Sequence, residues 1–106
     1  MPKYLFRANL TAEGMKGTLA EGGTSRRDTL KKLAEGLGGQ LEAFYYAFGD
    51  TDAYVIIDLP DNVTAGAVAT TVGESGTVSV STTVLIEPEE MDQIAAKKVD
   101  YRPPGA

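Results

Sequence analysis

Cysteine, histidine and tryptophan are all absent from this 106-residue sequence. Without cysteine the chain has neither disulfides nor a thiol nucleophile, and without histidine it lacks the usual imidazole base and a common zinc ligand. Any catalysis would depend on Asp, Glu, Lys, Arg, Tyr or a bound cofactor. We predict no metal site and no cofactor, and the sequence leaves open whether the protein is an enzyme.

Basic residues and long apolar runs are also scarce. Asp and Glu number 15 against 10 Lys and Arg, which gives a net charge of −5. Because neutralisation of phosphates by basic side chains supplies much of the affinity for nucleic acids, we expect no nucleic-acid partner. No apolar stretch approaches the roughly 20 residues of a membrane-spanning helix, and the N-terminus lacks the pattern of a signal peptide. We therefore expect a cytoplasmic protein with no membrane partner.

The hydrophobic pattern that is present predicts four strands and three helical regions. Strand-like alternation covers residues 3–10, 41–48, 53–59 and 77–86. A helix interrupted at Gly22-Gly23 follows the first strand, a second follows the third strand, and Pro88 begins a short helix after the fourth. This β-α-β-β-α-β order with an extra C-terminal helix predicts an α+β, ferredoxin-like fold with a four-stranded antiparallel sheet. Residues 1–98 are expected to form this single domain, and residues 99–106 an extended tail.

One face of the predicted sheet has no helix to cover it. The alternation places on this face Leu5, Arg7, Asn9, Tyr54, Ile56, Asp58, Ser79, Ser81 and Thr83. The set is too polar for a second dry core and too apolar for a plain solvent surface. We therefore predict that two copies pack these faces together around a partly polar cavity, which makes a homodimer or a higher homo-oligomer the expected assembly.

The glycine pair and the arginines after it form a first candidate site. Gly22-Gly23, with Thr24 or Ser25 as the cap of a restarting helix, would present free amides to an anion. Arg26 and Arg27 could close on a carboxylate or phosphate in bidentate geometry. Arg26 shares the helical stripe of the buried leucines and should point toward the sheet, whereas Arg27 lies at its edge. The alternative is a kinked helix whose arginines bridge to Asp or Glu on neighbouring elements.

A second candidate site lies on the open sheet face. Its side chains are Arg7, Asn9, Tyr54 and Asp58, with Tyr45 or Tyr46 added from the second strand. Arg7 and Asp58 lie on neighbouring strands, so we expect a cross-strand ion pair. Convergent polar groups in an apolar pocket are typical of ligand sites, and equally of a dimer interface with a satisfied polar pair. Asp50 and Asp52 are expected to be structural, because Asp bonds its own backbone in turns.

Motifs along nearly the whole chain carry a resemblance to one family. They are Met1-Pro2-Lys3-Tyr4-Leu5, Thr11-Ala12-Glu13-Gly14, Gly22-Gly23-Thr24-Ser25-Arg26-Arg27, Leu37-Gly38-Gly39, Phe44-Tyr45-Tyr46-Ala47-Phe48-Gly49, Leu59-Pro60-Asp61-Asn62, Thr82-Thr83 and Glu89-Glu90-Met91. In these motifs the chain resembles the GYD domain family, small bacterial and archaeal proteins among the dimeric α/β-barrel families. The resemblance implies a ferredoxin-like dimeric barrel and no established activity. Thr51 stands where the Gly-Tyr-Asp motif has its tyrosine.

The leading functional prediction is a small-molecule binding protein whose ligand, anionic or apolar, lies between sheet and helices. Arg26 would clamp an anionic group, Arg7 would position or neutralise it, and Tyr45 would supply a ring wall and a hydroxyl. Two alternatives stay open. Relatives among the dimeric barrels imply a cofactor-independent oxygenase, and the uncovered sheet face would also suit a non-catalytic oligomerisation module.

Overall fold

A computed structural model describes residues 1–106 as four strands and four helices. The elements are β1 (Lys3–Leu10), α1 (Ala12–Glu21), α2 (Gly23–Gly36), β2 (Gln40–Tyr46), β3 (Ala53–Asp58), α3 (Asn62–Glu74), β4 (Val78–Leu85) and α4 (Pro88–Ala96). The strands pair antiparallel in one sheet, in the order β2-β3-β1-β4. The α+β, ferredoxin-like fold predicted from the sequence is confirmed, with α4 as its additional helix.

Local capping signals fix where three of the helices begin. The Thr11 hydroxyl accepts a hydrogen bond from the Gly14 amide at 3.2 Å and starts α1. The Asp61 carboxylate accepts one from the Thr64 amide at 2.8 Å and starts α3. Both side chains satisfy amides that have no partner in the first turn. Pro88 stands in the first turn of α4, where its missing N–H removes no helical hydrogen bond.

Gly22 joins α1 to α2 with no loop between them. Its φ of 90° lies in the region that favours glycine, so the chain changes direction at a single residue. α2 therefore begins at Gly23 with Gly22 as its cap, and no side chain bonds the free amides. The prediction of a cap at Thr24 or Ser25 is wrong, because the left-handed Gly22 restarts the helix before either residue is reached.

The core lies between the helices and one face of the sheet. Its buried members are Tyr4, Phe6, Ala34, Val55, Ile57, Leu59, Ala65 and Val68. On β1 and β3 these residues alternate along the strand, as a sheet with one covered face requires. α2 packs mainly on β2 and α3 mainly on β4. The two helices thus leave a gap between them, above the central strands β1 and β3.

The opposite face of the sheet carries no helix, and we call it the open face. The strand register aligns Ala43, Ile56, Leu5 and Thr83 in one row across it, and Tyr45, Tyr54, Arg7 and Ser81 in the next. The open face is therefore apolar and aromatic across β2, β3 and part of β1, and lined by hydroxyls along β4.

The β2–β3 hairpin is closed by Asp52. Its carbonyl oxygen accepts a hydrogen bond from the Ala47 amide at 2.8 Å, and its carboxylate accepts one from the Leu10 amide at 2.8 Å. The Asn9 side-chain oxygen accepts from the Asp52 amide at 3.2 Å. β2 consequently ends at Tyr46, earlier than predicted, and Asp52 has the structural role expected of it.

α4 and the residues after it stand apart from the rest of the fold. No residue of α4 is buried, and the helix makes no extensive contact with another helix or strand. Residues 97–106 are exposed and contain no helix or strand. None of the four helices combines the length and the apolar character needed to cross a bilayer.

Candidate functional site

A cavity occupies the gap between α2 and α3 on the covered face of the sheet. Its volume is about 70 Å³, and 14 of its 16 lining residues are hydrophobic. All four strands contribute to its floor, for example through Ala8, Val55 and Val80, while Leu30 of α2 and Val72 of α3 form opposite walls. The space exists because α3 is rich in small side chains, which leave the layer between helix and sheet unfilled.

Arg26 is the one charged side chain that lines this cavity. It lies near the start of α2, is half-buried, and forms no ion pair or hydrogen bond within the chain. A partly desolvated cation without a partner is unfavourable, and a guanidinium binds a carboxylate through two parallel hydrogen bonds. The geometry therefore favours an anionic group beside Arg26. The prediction that Arg26 points toward the sheet is confirmed.

Tyr46 fixes the beginning of α2 next to Arg26. The Tyr46 hydroxyl donates a hydrogen bond to the carbonyl oxygen of Gly23 at 3.1 Å. A Cβ atom on Gly23 would come within 3.0 Å of the tyrosine ring, so glycine permits this close approach. Burial raises the pKa of Tyr46, and the positive charge of Arg26 opposes that shift. The phenol is thus neutral near neutral pH and serves as an aromatic wall, packed edge to face on Phe44 with 5.0 Å between the ring centres.

A polar pocket of about 140 Å³ continues outward from the mouth of the cavity. Arg26 and Thr18 line both spaces. Glu13 and Glu21 of α1 also line this outer pocket, and neither forms an ion pair with Arg26. Arg26 therefore stands at the boundary between an apolar interior and a polar entrance.

The residues predicted to act together with Arg26 lie on the other side of the sheet. Arg7 is opposite Tyr54 across β1 and β3, and Tyr45 is opposite Tyr54 across β2 and β3, all on the open face. None of these three lines the cavity. The prediction that Arg7 and Tyr45 share a pocket with Arg26 between sheet and helices is wrong, because successive strand residues point to opposite faces. Tyr46, the alternative to Tyr45, is the tyrosine that reaches the cavity.

Asp58 belongs to a polar cluster at one end of the open face. It is 6% exposed, and its two oxygens accept hydrogen bonds from Lys3 Nζ at 2.9 Å and Gln40 Nε2 at 3.1 Å. Burial works to raise the pKa of Asp58, but the hydrogen bonds from Lys3 and Gln40 outweigh it, and the pKa lies below its usual value. Lys3 also donates to Glu42 at 3.0 Å. The prediction of an Arg7–Asp58 ion pair is wrong, because the strand register places Lys3 opposite Asp58.

Two further predicted site residues lie outside the cavity. The Asn9 side-chain oxygen accepts a hydrogen bond from the Asp52 amide at the β2–β3 hairpin. Arg27 is exposed at the edge of α2, as predicted, with its Nε 3.7 Å from the carboxylate of Asp28. Such an exposed pair contributes little. Bridging to an acidic residue on a neighbouring element, the alternative considered for both arginines, is therefore observed for neither, because Asp28 is the next residue of α2 itself and Arg26 has no ion pair.

The sequence reasoning missed the contribution of α3 to the site. Val68, Ala69 and Val72 form one wall of the cavity. The available signal was the small-residue composition of this helix between Ala65 and Val72, which indicates a helix unable to fill the space above the sheet.

Comparison with known proteins identifies a family and no individual relative. No curated protein and no solved structure matches the chain. A family model described as the GYD domain matches residues 4–95, a range that contains every residue lining the cavity. Thr51, which the resemblance matches to the tyrosine of the Gly-Tyr-Asp motif, is buried and lines neither the cavity nor the outer pocket. The match covers most of the chain, and the protein belongs to the GYD domain family.

Proposed function

We propose that the protein binds a small molecule with an apolar body and one anionic group, most simply a carboxylate. The observation that carries this proposal is Arg26, an unpaired cation at the mouth of a cavity whose other lining residues are almost all apolar. Small-molecule sites are typically apolar with a few polar groups that fix the orientation of the ligand. The apolar body would lie between α2 and α3, with the carboxylate at Arg26.

The volume of the cavity limits the size of the apolar body. At about 70 Å³ it is smaller than the roughly 150 Å³ of an engineered apolar cavity that admits benzene. A short aliphatic chain is the matching size, with the polar end extending into the outer pocket. A long-chain lipid would require the helices to separate.

The chemistry of the lining favours binding over oxygenation. Tyr46 and Arg26 are the lining residues with an ionisable side chain; a guanidinium has no lone pair free to accept a proton, and the Tyr46 phenol is protonated near neutral pH. Burial raises the pKa of Tyr46, which makes the phenolate still less available. A cofactor-independent oxygenase would need a base that draws a proton from its substrate. The cavity offers a cation that can bind an anionic group and an apolar space for the rest of the ligand, and a binding protein requires no more than these.

A cavity-filling substitution tests this proposal. Butanoate, hexanoate and octanoate are titrated into the ¹⁵N-labelled full-length protein, and amide shifts are followed by NMR. Ala69→Leu extends a side chain from α3 into the cavity, and we expect it to weaken binding at least about tenfold, since the added carbons occupy the space of the ligand. Ala67→Leu is the matched control, because Ala67 lies on the exposed side of the same helix.

The expected amide shifts lie around the cavity, at Leu30, Val72 and Val80. Absence of saturable shifts at millimolar carboxylate in the wild-type protein would contradict the proposal. So would equal losses for Ala69→Leu and Ala67→Leu, because only Ala69 borders the cavity.

A further inference from the structure

The mouth that joins the apolar cavity to the outer pocket is formed by the four residues that line both spaces. Leu10 and Val78 are its apolar members, and Thr18 and Arg26 are its polar members. A ligand that has its hydrocarbon chain in the cavity and its carboxylate at Arg26 therefore holds the carbon between them in the mouth. Any further group on that carbon is directed to the outer pocket, so the chemistry of this pocket decides which group fits.

The Thr18 hydroxyl meets the ligand space as a hydrogen-bond acceptor. Thr18 is half-buried, and its hydroxyl donates its proton to the carbonyl oxygen of Gly14, one turn earlier in α1, at 2.9 Å. A hydroxyl has one proton to donate and two lone pairs that accept. The remaining hydrogen-bonding capacity of Thr18 is therefore that of an acceptor, and it suits a donor on the ligand.

Thr77, which also lines the outer pocket, is an acceptor for a similar reason. The Ser75 hydroxyl donates its proton to the carbonyl oxygen of Val72 at 2.6 Å. The 2.7 Å hydrogen bond between the Ser75 and Thr77 hydroxyls must therefore use the proton of Thr77. The carbonyl oxygen of Thr77 is an acceptor as well, so neither oxygen of this residue has a proton to give.

The two glutamates of α1 make the outer pocket negative. Glu13 and Glu21 lie on the same side of the helix as Gly17, four residues from each of them, and the missing side chain of Gly17 leaves the space between them open. Neither carboxylate forms an ion pair within the chain. Carboxylates only accept hydrogen bonds, so Arg26 is the one side chain of the outer pocket with free protons to donate.

A second ligand group in this pocket must therefore donate hydrogen bonds, and a positive charge on it is favoured. A second carboxylate would meet acceptors and two like charges. A neutral hydroxyl has one proton to donate and gains no attraction to the glutamates. An ammonium group has three protons to donate and carries the complementary charge.

We propose that the ligand is a zwitterion, an α-amino acid with a short aliphatic side chain. Its side chain lies in the apolar cavity, its carboxylate binds Arg26, and its ammonium group donates to Thr18 and faces the carboxylates of α1. Each substituent of the α-carbon then meets surroundings of its own chemistry. This inference rests on the proposed carboxylate binding and narrows the ligand from short-chain carboxylates in general to amino acids.

Calorimetric titration of the full-length protein with three ligands of equal chain length tests this inference. The ligands are L-norleucine, its α-hydroxy analogue and hexanoate, which carry an ammonium group, a hydroxyl and no group on the α-carbon. At neutral pH and low ionic strength, the wild-type protein should bind L-norleucine at least about fivefold more tightly than either of the others, because hydrogen bonds to charged groups are the stronger ones.

Two sets of substitutions should remove this preference without weakening the binding of hexanoate. Thr18→Val keeps the shape of the side chain and removes the acceptor, and Glu13→Gln combined with Glu21→Gln removes the negative charges. We expect each set to lower the preference for L-norleucine over its hydroxy analogue at least about twofold. Circular dichroism verifies that each variant retains the fold.

Matched controls change the same kinds of group away from the site. Thr29→Val removes a hydroxyl that likewise donates to a carbonyl oxygen one turn earlier, that of Ser25, and Thr29 lines neither space. Glu35→Gln combined with Glu74→Gln makes the same change in net charge at two exposed glutamates outside both spaces. Both controls should keep the preference of the wild-type protein.

The possible results separate the amino-acid inference from the proposed function. If neither hexanoate nor L-norleucine binds saturably, both are wrong. If hexanoate binds and L-norleucine binds no more tightly than its hydroxy analogue, carboxylate binding stands and the amino-acid inference is wrong. Equal losses of preference in the site variants and their controls would also overturn the inference, because the preference would then not arise in this pocket.

Discussion

Replacing Gly14 with alanine tests how closely α1 approaches the start of β4, a contact that shapes the outer pocket. A Cβ atom at this position would lie 2.0 Å from the carbonyl oxygen of Thr77, whereas real Cβ contacts are essentially never below 3.0 Å. The helix and the loop would have to separate by about 1 Å. That separation would stretch the 3.0 Å hydrogen bond from the Thr11 amide to the same oxygen.

The expected cost follows from three contributions. Overpacking a closely fitted contact costs about 1–3 kcal/mol, and weakening one backbone hydrogen bond costs about 1 kcal/mol. Alanine regains about 1 kcal/mol because it favours the helix more than glycine does. We therefore expect Gly14→Ala to lower the free energy of unfolding by about 1–3 kcal/mol. At about 4 °C per kcal/mol for a domain of this size, Tm should fall by about 4–12 °C.

Gly17→Ala in the same helix is the matched control. A Cβ atom there meets nothing within 4 Å, so the helix preference of alanine acts alone and should raise stability by about 0.5–1 kcal/mol. Thermal unfolding followed by circular dichroism, with urea unfolding as a second measure, compares the two variants with the wild-type protein. A Tm for Gly14→Ala at or above the wild-type value, or an equal fall for Gly17→Ala, would refute the packing described for α1.

Two further perturbations probe the polar contacts around the sheet. Because the pKa of folded Asp58 lies below its ordinary value of 3.8, its contribution to stability is present above that pH and is lost as the pH falls further. In acid unfolding, the free energy of unfolding of the wild-type protein should therefore fall below about pH 4. The fall should be smaller in Asp58→Asn and as large as in the wild type in Asp50→Asn. Identical curves of stability against pH for all three proteins would contradict this expectation. Tyr46→Phe removes the hydrogen bond to the Gly23 carbonyl and should cost about 0.5–1 kcal/mol in urea unfolding, and a stability equal to the wild type would show that this bond does not hold α2.

The fold was predictable because local signals and periodicity agree along the chain. The side-chain caps at Thr11 and Asp61, Pro88 in the first turn of α4 and strict alternation in β1 each indicate the element that the structure contains. The start of α2 was less predictable. Gly22, with its positive φ, begins the helix without a side-chain cap. The sequence pattern does not distinguish this helix start from one capped by Ser25.

The candidate site was predictable only at Arg26. Helical spacing placed this side chain toward the sheet, and the cavity it borders depends on a gap between α2 and α3 that no local pattern encodes. The choice between Tyr45 and Tyr46 depended on which strand face the helices cover, a property of the assembled sheet. The partner of Asp58 depended on register, which brings Lys3 and not Arg7 opposite it.

The measurement that most directly tests the central claim is the affinity difference between hexanoate and its neutral isostere hexanamide. Both ligands are titrated by calorimetry into the wild-type protein, Arg26→Gln and Arg27→Gln, the last being a matched loss of charge outside the cavity. A charge-assisted hydrogen bond of about 1.5–3 kcal/mol predicts that the wild-type protein and Arg27→Gln bind the carboxylate at least about tenfold more tightly than the amide. In Arg26→Gln that preference should disappear. A carboxylate preference that persists in Arg26→Gln, or one that is lost in Arg27→Gln, would contradict the assignment of Arg26 as the anion clamp.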